Sequence, residues 1–98
     1  MARVSCRAWA VTVDTESMLV TKAGVPVTLT RKEFDQLVLF LQNQNVALFR
    51  ETIYERVWDS DYMGDTRTVD LHVQRLRKKV GWEQILVAVP KVGYRLEV

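Results

Sequence analysis

An α+β fold, strands first, then three helices, then a hairpin, is what this sequence predicts. Three observations predict it. Residues 3–27 alternate apolar and polar side chains in short runs broken by turn residues, which is the period of strands. Residues 28–80 hold three stretches with apolar residues at helical spacing. Residues 85–98 return to a period of two on either side of Pro90-Lys91, the pattern of a β-hairpin.

Val4, Cys6 and Ala8 alternate with Arg3, Ser5 and Arg7, and Val11 and Val13 with Thr12 and Asp14. Residues 18–21 and 25–29 are β-branched or apolar, and Asp14-Thr15-Glu16-Ser17 and Ala23-Gly24 are turn material. Connections this short cannot make parallel crossovers, so an antiparallel meander of three or four strands is expected. The first helix is placed at 28–43. Thr30 is a good N-cap and Glu33 stands three residues on, a capping box. Phe34, Leu37, Val38 and Leu41 share one face, and Leu39 and Phe40 widen it, so this helix should be central. Asn45 tolerates the left-handed conformation that a C-terminal cap needs.

Val46, Leu48 and Phe49 read as an apolar connector. A second helix follows at 50–58, with Ile53, Tyr54, Val57 and Trp58 on one face. Residues 58–65 form an acidic loop, and Asp65 or Thr66 can cap the next helix. That third helix, 66–80, ends at Gly81 after Lys78 and Lys79, which complement the negative end of its dipole. In the hairpin, Pro90 suits the first central position of a type I turn and Gly93 can host a bulge. A helix pair whose second member is basic, followed by a two-stranded ribbon, is a winged helix-turn-helix with an N-terminal antiparallel sheet. At 98 residues the chain makes one domain, 1–98, with no internal linker or repeat.

The third helix carries the functional signal. Val69, Val73, Leu76 and Val80 recur as one apolar stripe. At about 100° per residue, the opposite side holds Arg67, Leu71, Gln74, Arg75 and Lys78. Thr68, His72 and Lys79 flank one edge, Asp70 and Arg77 the other. The net charge of +2 hides a division: five basic residues and one acid in 66–80 give +4, so the rest of the chain carries −2. Concentrated basic charge is the footprint of a polyanion binder. A basic helix face can also be merely solvated; the flanking elements weigh against that.

Other classes find less support. One cysteine, Cys6, makes no internal disulfide, and with one histidine it cannot supply a structural zinc site. A reducing, cytoplasmic compartment fits. No apolar run approaches a membrane span, and the N-terminus lacks the pattern of a signal peptide. No nucleophile or carboxylate arrangement surrounds His72, so an enzyme is not expected, nor any cofactor or metal. The acidic loop lacks the ligand set of a calcium loop. Two rivals remain: a winged helix that binds protein instead of DNA, which the +4 helix argues against, and a binder of structured RNA, whose narrow A-form major groove excludes a helix.

The chain resembles the effector domain of OmpR/PhoB-type bacterial response regulators. The matching runs are LTRKEFDQLVLFL (29–41), RETIYERVW (50–58), DYMGDTRTVDLHVQRLRKKV (61–80) and VGYRL (92–96). The resemblance covers nearly the whole chain. It implies a recognition helix, 66–80, in the major groove of double-stranded DNA and a wing, 84–98, on the minor groove or backbone. Arg75 matches a position that commonly contacts bases, and Leu71, Gln74 and Lys78 line the same face. Arg67, Thr68, His72 and Arg77 match positions that often hold phosphates, and Lys79 joins them here. Arg95 matches a wing arginine that approaches the minor groove, with Lys91 beside it. The backbone amide of Arg50, opening the second helix, can meet a phosphate or simply start the helix.

In the family the loop that here holds Asp59, Asp61, Tyr62 and Met63 can contact RNA polymerase. The resemblance also implies a domain that is monomeric alone and pairs on tandem half-sites, and it implies an N-terminal receiver domain for which this chain has no room. The operator, the regulated genes, the sensing partner and the sign of regulation are not in the sequence. Three departures stand out. Pro90-Lys91 occupies a place where the family often has Arg-Gly, Asn45 one where glycine is usual, and Gln74 one where some members are basic. Asp70 has two readings, acceptor from cytosine or orienting partner of a neighbouring arginine. Tyr94 reads as core or wing support.

Overall fold

The alternating N-terminal segment becomes a four-stranded antiparallel sheet in a computed structural model that describes residues 5–8, 11–58 and 67–97. Its strands are β1 (Ser5–Ala8), β2 (Val11–Asp14), β3 (Leu19–Lys22) and β4 (Val25–Pro26), paired in chain order. Val13 pairs with Val20, and both are buried with Val11. Ala23 and Gly24, the loop between β3 and β4, both take positive φ, 50° and 81°. This is the type I′ arrangement, whose twist matches that of the flanking strands.

Helix α1 (Arg31–Gln42) starts later than residue 28 because Thr30 caps it. Thr30 Oγ1 accepts from the Glu33 amide at 3.2 Å, and Glu33 Oε1 accepts from the Thr30 amide at 2.9 Å. The capping box is therefore complete. Leu37 and Phe40 have no exposed surface, in keeping with a central helix. Asn43, not Asn45, is the C-cap. Asn45 does take φ 64°, but beyond the helix, where its amide donates to Leu96 O at 2.7 Å.

The segment read as a connector contains a strand, β5 (Leu48–Phe49). It leads directly into α2 (Arg50–Trp58), followed by α3 (Arg67–Val80), β6 (Leu86–Val89) and β7 (Gly93–Leu96). The second sheet is three-stranded and antiparallel in the order β5-β7-β6. Gly93 supplies closeness and no bulge. It pairs in register with Phe49 and with Val89, and a Cβ there would lie 2.0 Å from Leu48 O and 2.9 Å from Arg50 N. The wing turn also differs from expectation. Val92 donates to Val89 O at 3.1 Å, and Lys91 has φ 64°. Type I requires negative φ at both central positions, so a left-handed residue after Pro90 is the type II pattern.

Gly81 ends α3 at φ 71°, and Trp82 donates back to Arg77 O at 2.9 Å, the long bond of a Schellman cap. Trp82, Phe40, Leu37, Ile53, Leu76, Leu86 and Leu96 are fully buried in one core shared by the helices and both sheets. Gln36 is fully buried among them, and neither its Oε1 nor its Nε2 has a partner among the described residues. No helix among the described residues is long and apolar enough to cross a membrane.

Candidate nucleic-acid interface

Helix α3 has the two faces its sequence predicts. Val69, Val73, Leu76 and Val80 are each 0% exposed. Arg67, Leu71, Gln74, Arg75 and Lys78 are exposed on the other side. Leu71 leaves 50% of its surface in water amid long donors. Thr68 and His72 are half-buried at the edge.

Two ion pairs position the helix. Near its start, Asp70 Oδ1 accepts from Arg50 Nε at 3.0 Å and from the Tyr94 hydroxyl at 2.6 Å. Asp70 thus orients an arginine, though one twenty residues away. The Arg50 guanidinium lies over the Tyr94 ring, 5.2 Å from its centroid. Burial, then the hydrogen bond and charge of Asp70, push the Tyr94 hydroxyl up to about 12. The Arg50 amide donates to Val92 O at 3.1 Å. That amide is taken, so any phosphate contact of Arg50 falls to its guanidinium.

Near the end of α3, Lys79 Nζ donates to Glu33 Oε1 at 2.6 Å. Glu33 is only 1% exposed. Burial pulls its carboxyl upward, but hydrogen bonds from Lys79 and Thr30, with the lysine charge, together hold it below the ordinary value. Lys79 therefore links α3 to α1 while its side chain keeps 39% of its surface exposed. Arg77 is also partly engaged, its Nη2 donating to Glu83 O at 3.1 Å.

His72 Nδ1 lies 2.8 Å from Thr68 O. A carbonyl only accepts, so Nδ1 carries the proton there. The ring packs edge-on against Trp58 at 5.0 Å between centroids. Trp58 in turn stacks on Tyr54 at 5.2 Å, and Lys32 Nζ lies 5.7 Å from its centroid. His72 is thus held in the α2–α3 interface. On the wing, Lys91 is exposed at the turn, and Arg95 projects on the sheet face opposite to Tyr94 and Leu96. Arg95 Nε donates to Glu97 Oε2 at 2.9 Å, and Nη2 engages the same oxygen.

Asp59, Asp61, Tyr62 and Met63 lie outside the described residues, as does Thr66. The sequence reading missed the Glu33–Lys79 link, the partners of Asp70 and the hold of Glu97 on Arg95. Glu33 was read only as part of the capping box. Its place on the buried side of α1 was the available signal that it needs a second partner.

The family described as "Transcriptional regulatory protein, C terminal" matches residues 24–96. The sensory transduction protein RegX3 of Mycolicibacterium smegmatis is 43% identical over 91 residues, 89% of this chain and 40% of RegX3. The transcriptional regulatory protein CseB of Streptomyces coelicolor is 47% identical over 85 residues, 87% of this chain and 36% of CseB. The chain thus spans well under half the length of these curated relatives. The DNA-binding domain of response regulator AdeR, solved in complex with an intercistronic region, superposes with a TM-score of 0.82 at 28% identity, covering 93% of this chain and 97% of that one. With the same winged-helix fold and a match over nearly its whole length, this chain belongs to the C-terminal domains of transcriptional regulatory proteins, the effector domains of OmpR/PhoB-type response regulators.

Proposed function

We propose that this domain binds double-stranded DNA at specific sequences, with α3 in the major groove and the β6–β7 wing on the adjacent minor groove or backbone. One observation carries the reading: a 14-residue helix buries one stripe completely and holds Leu71, Gln74, Arg75 and Lys78 in solvent on the other side. A major groove about 12 Å wide admits such a helix. Arg75 can grip a guanine edge through two donors, Gln74 can pair with adenine, and Leu71 suits a thymine methyl. Lys78 serves a guanine acceptor or a phosphate. Arg67, Thr68, His72, Arg77 and the Arg50 guanidinium are the phosphate set, with Lys91 and Arg95 on the wing. That the domain of AdeR was solved with an intercistronic region supports this use of the fold.

In the same reading two copies occupy tandem half-sites, the segment around Asp59, Asp61, Tyr62 and Met63 meets RNA polymerase, and the protein works in the cytoplasm. A receiver domain in the whole regulator would set when binding happens.

Selection of bound duplexes from a random pool, followed by gel shifts, tests the proposal. A defined sequence should emerge. Arg75→Ala should then cost about 1–3 kcal/mol and relax the preference at one position. Retention of every duplex alike, with no sequence selected, would overturn it.

A further inference from the structure

We infer that Asp70 and Tyr94 are positioning residues that lock the wing to the start of the recognition helix, so that the two elements meet DNA as one rigid body; the inference rests on the DNA-binding reading for its purpose. Three elements converge on one carboxylate oxygen. Asp70 lies in the first turn of α3, Arg50 is the first residue of α2, and Tyr94 sits in β7 of the wing. Asp70 Oδ1 takes the hydroxyl of Tyr94 at 2.6 Å and Nε of Arg50 at 3.0 Å.

The backbone around this cluster is drawn tight. Arg50 donates its amide to Val92 O at 3.1 Å, and Gly93, with no side chain, lets Leu48 O and Arg50 N approach to distances that a Cβ would violate. The Arg50 guanidinium covers the Tyr94 ring. The C-terminal end of α3 reaches the wing through the chain itself, by way of Gly81 and Trp82. Its N-terminal end has no such covalent path to β7. The carboxylate of Asp70 supplies the missing connection there.

The consequence is mechanical. A helix in the major groove and a wing on the neighbouring backbone gain from each other only when their separation is fixed before binding, because ordering one element on DNA costs entropy that a rigid unit has already lost. Asp70 Oδ1 is taken by Arg50 and Tyr94, which assigns it to this bridge and away from cytosine readout.

The test measures the free protein first. Spin labels at Gln74→Cys and Lys91→Cys, in a Cys6→Ser background, report the distance from recognition face to wing tip. The distribution should be narrow in the parent, broad in Asp70→Ala and Tyr94→Phe, and narrow again in Asp70→Asn, whose amide oxygen still accepts both bonds. On the selected duplex, Tyr94→Phe should bind about tenfold more weakly, the scale of one such lost hydrogen bond. In that background Arg95→Ala should cost less than it does in the parent. A Tyr94→Phe protein that melts like the parent, keeps the narrow distribution and retains the full Arg95→Ala effect would overturn the inference. Failure of the parent to select any duplex would instead strike the DNA-binding reading, and the label distances would still judge the lock.

Discussion

Lys78 and Lys79 are neighbours in sequence and should behave as opposites. Lys79→Ala leaves the Glu33 carboxylate, 1% exposed, with Thr30 as its remaining partner among the described residues. A buried acceptor stripped of one partner costs about 1–3 kcal/mol, so urea unfolding should shift by that order while the salt dependence of DNA binding stays put. Lys78→Ala should leave stability alone and lower the salt slope by about one. Loss of slope without loss of stability in Lys79→Ala would return that lysine to the phosphates. Glu33 also fixes a pH response. Its folded carboxyl titrates below the ordinary value of 4.5, so its contribution is present above that value and is lost as pH falls through the folded one. Glu33→Gln should flatten the acid limb of the stability profile. Gln36 is the reverse case, a buried amide with neither end paired among the described residues. Gln36→Met keeps the volume and removes the unmet polar atoms, so the unfolding midpoint should rise by about 1–2 kcal/mol in equivalent stability.

Among the elements, the wing is restrained by two features that substitution can release separately. Lys91 holds φ 64°, a conformation that costs an ordinary side chain roughly 1 kcal/mol. Lys91→Gly should therefore raise the melting temperature and still weaken DNA binding, because it removes a cation from the tip. Arg95 shares its guanidinium with Glu97, so Glu97→Gln should strengthen binding a few-fold and steepen the salt dependence; unchanged affinity would show that DNA already displaces the pair. These elements also show what sequence can and cannot carry. Val69, Val73, Leu76 and Val80 repeat over twelve residues, and a repeat that long defines a face without coordinates. The Thr30–Glu33 box was legible because both partners lie within one turn. β5 was not, since two residues have no period and only pairing with β7 makes them a strand. The Lys91 turn was misread because Pro90 suits type I and type II alike. The partners of Asp70 lie twenty and twenty-four residues away, and such pairings exist only once the chain has folded.

At the scale of the molecule, dimensions bear on how copies share DNA. The principal extents are 37 × 28 × 21 Å. One turn of B-DNA is about 34–36 Å, or 10–10.5 base pairs. A copy lying with its long axis along the duplex therefore spans about one repeat, and the next copy in a direct repeat arrives on the same face within touching distance. Five added base pairs would move the second copy about 17 Å farther and rotate it by half a turn, at 3.4 Å per pair. Contact between copies is then lost, although each half-site is intact. Gel shifts on duplexes with centre spacings of about 10, 15 and 21 base pairs should show joint occupancy tightest at 10 and equally weak at 15 and 21. A single half-site should behave like the 15-base-pair duplex. The charge division sharpens the comparison, since the part of the chain outside 66–80 carries −2 and repels its like when salt is low. The advantage of the 10-base-pair spacing should accordingly grow with moderate salt even as total affinity falls. Equal occupancy at every spacing would mean that the two copies bind independently.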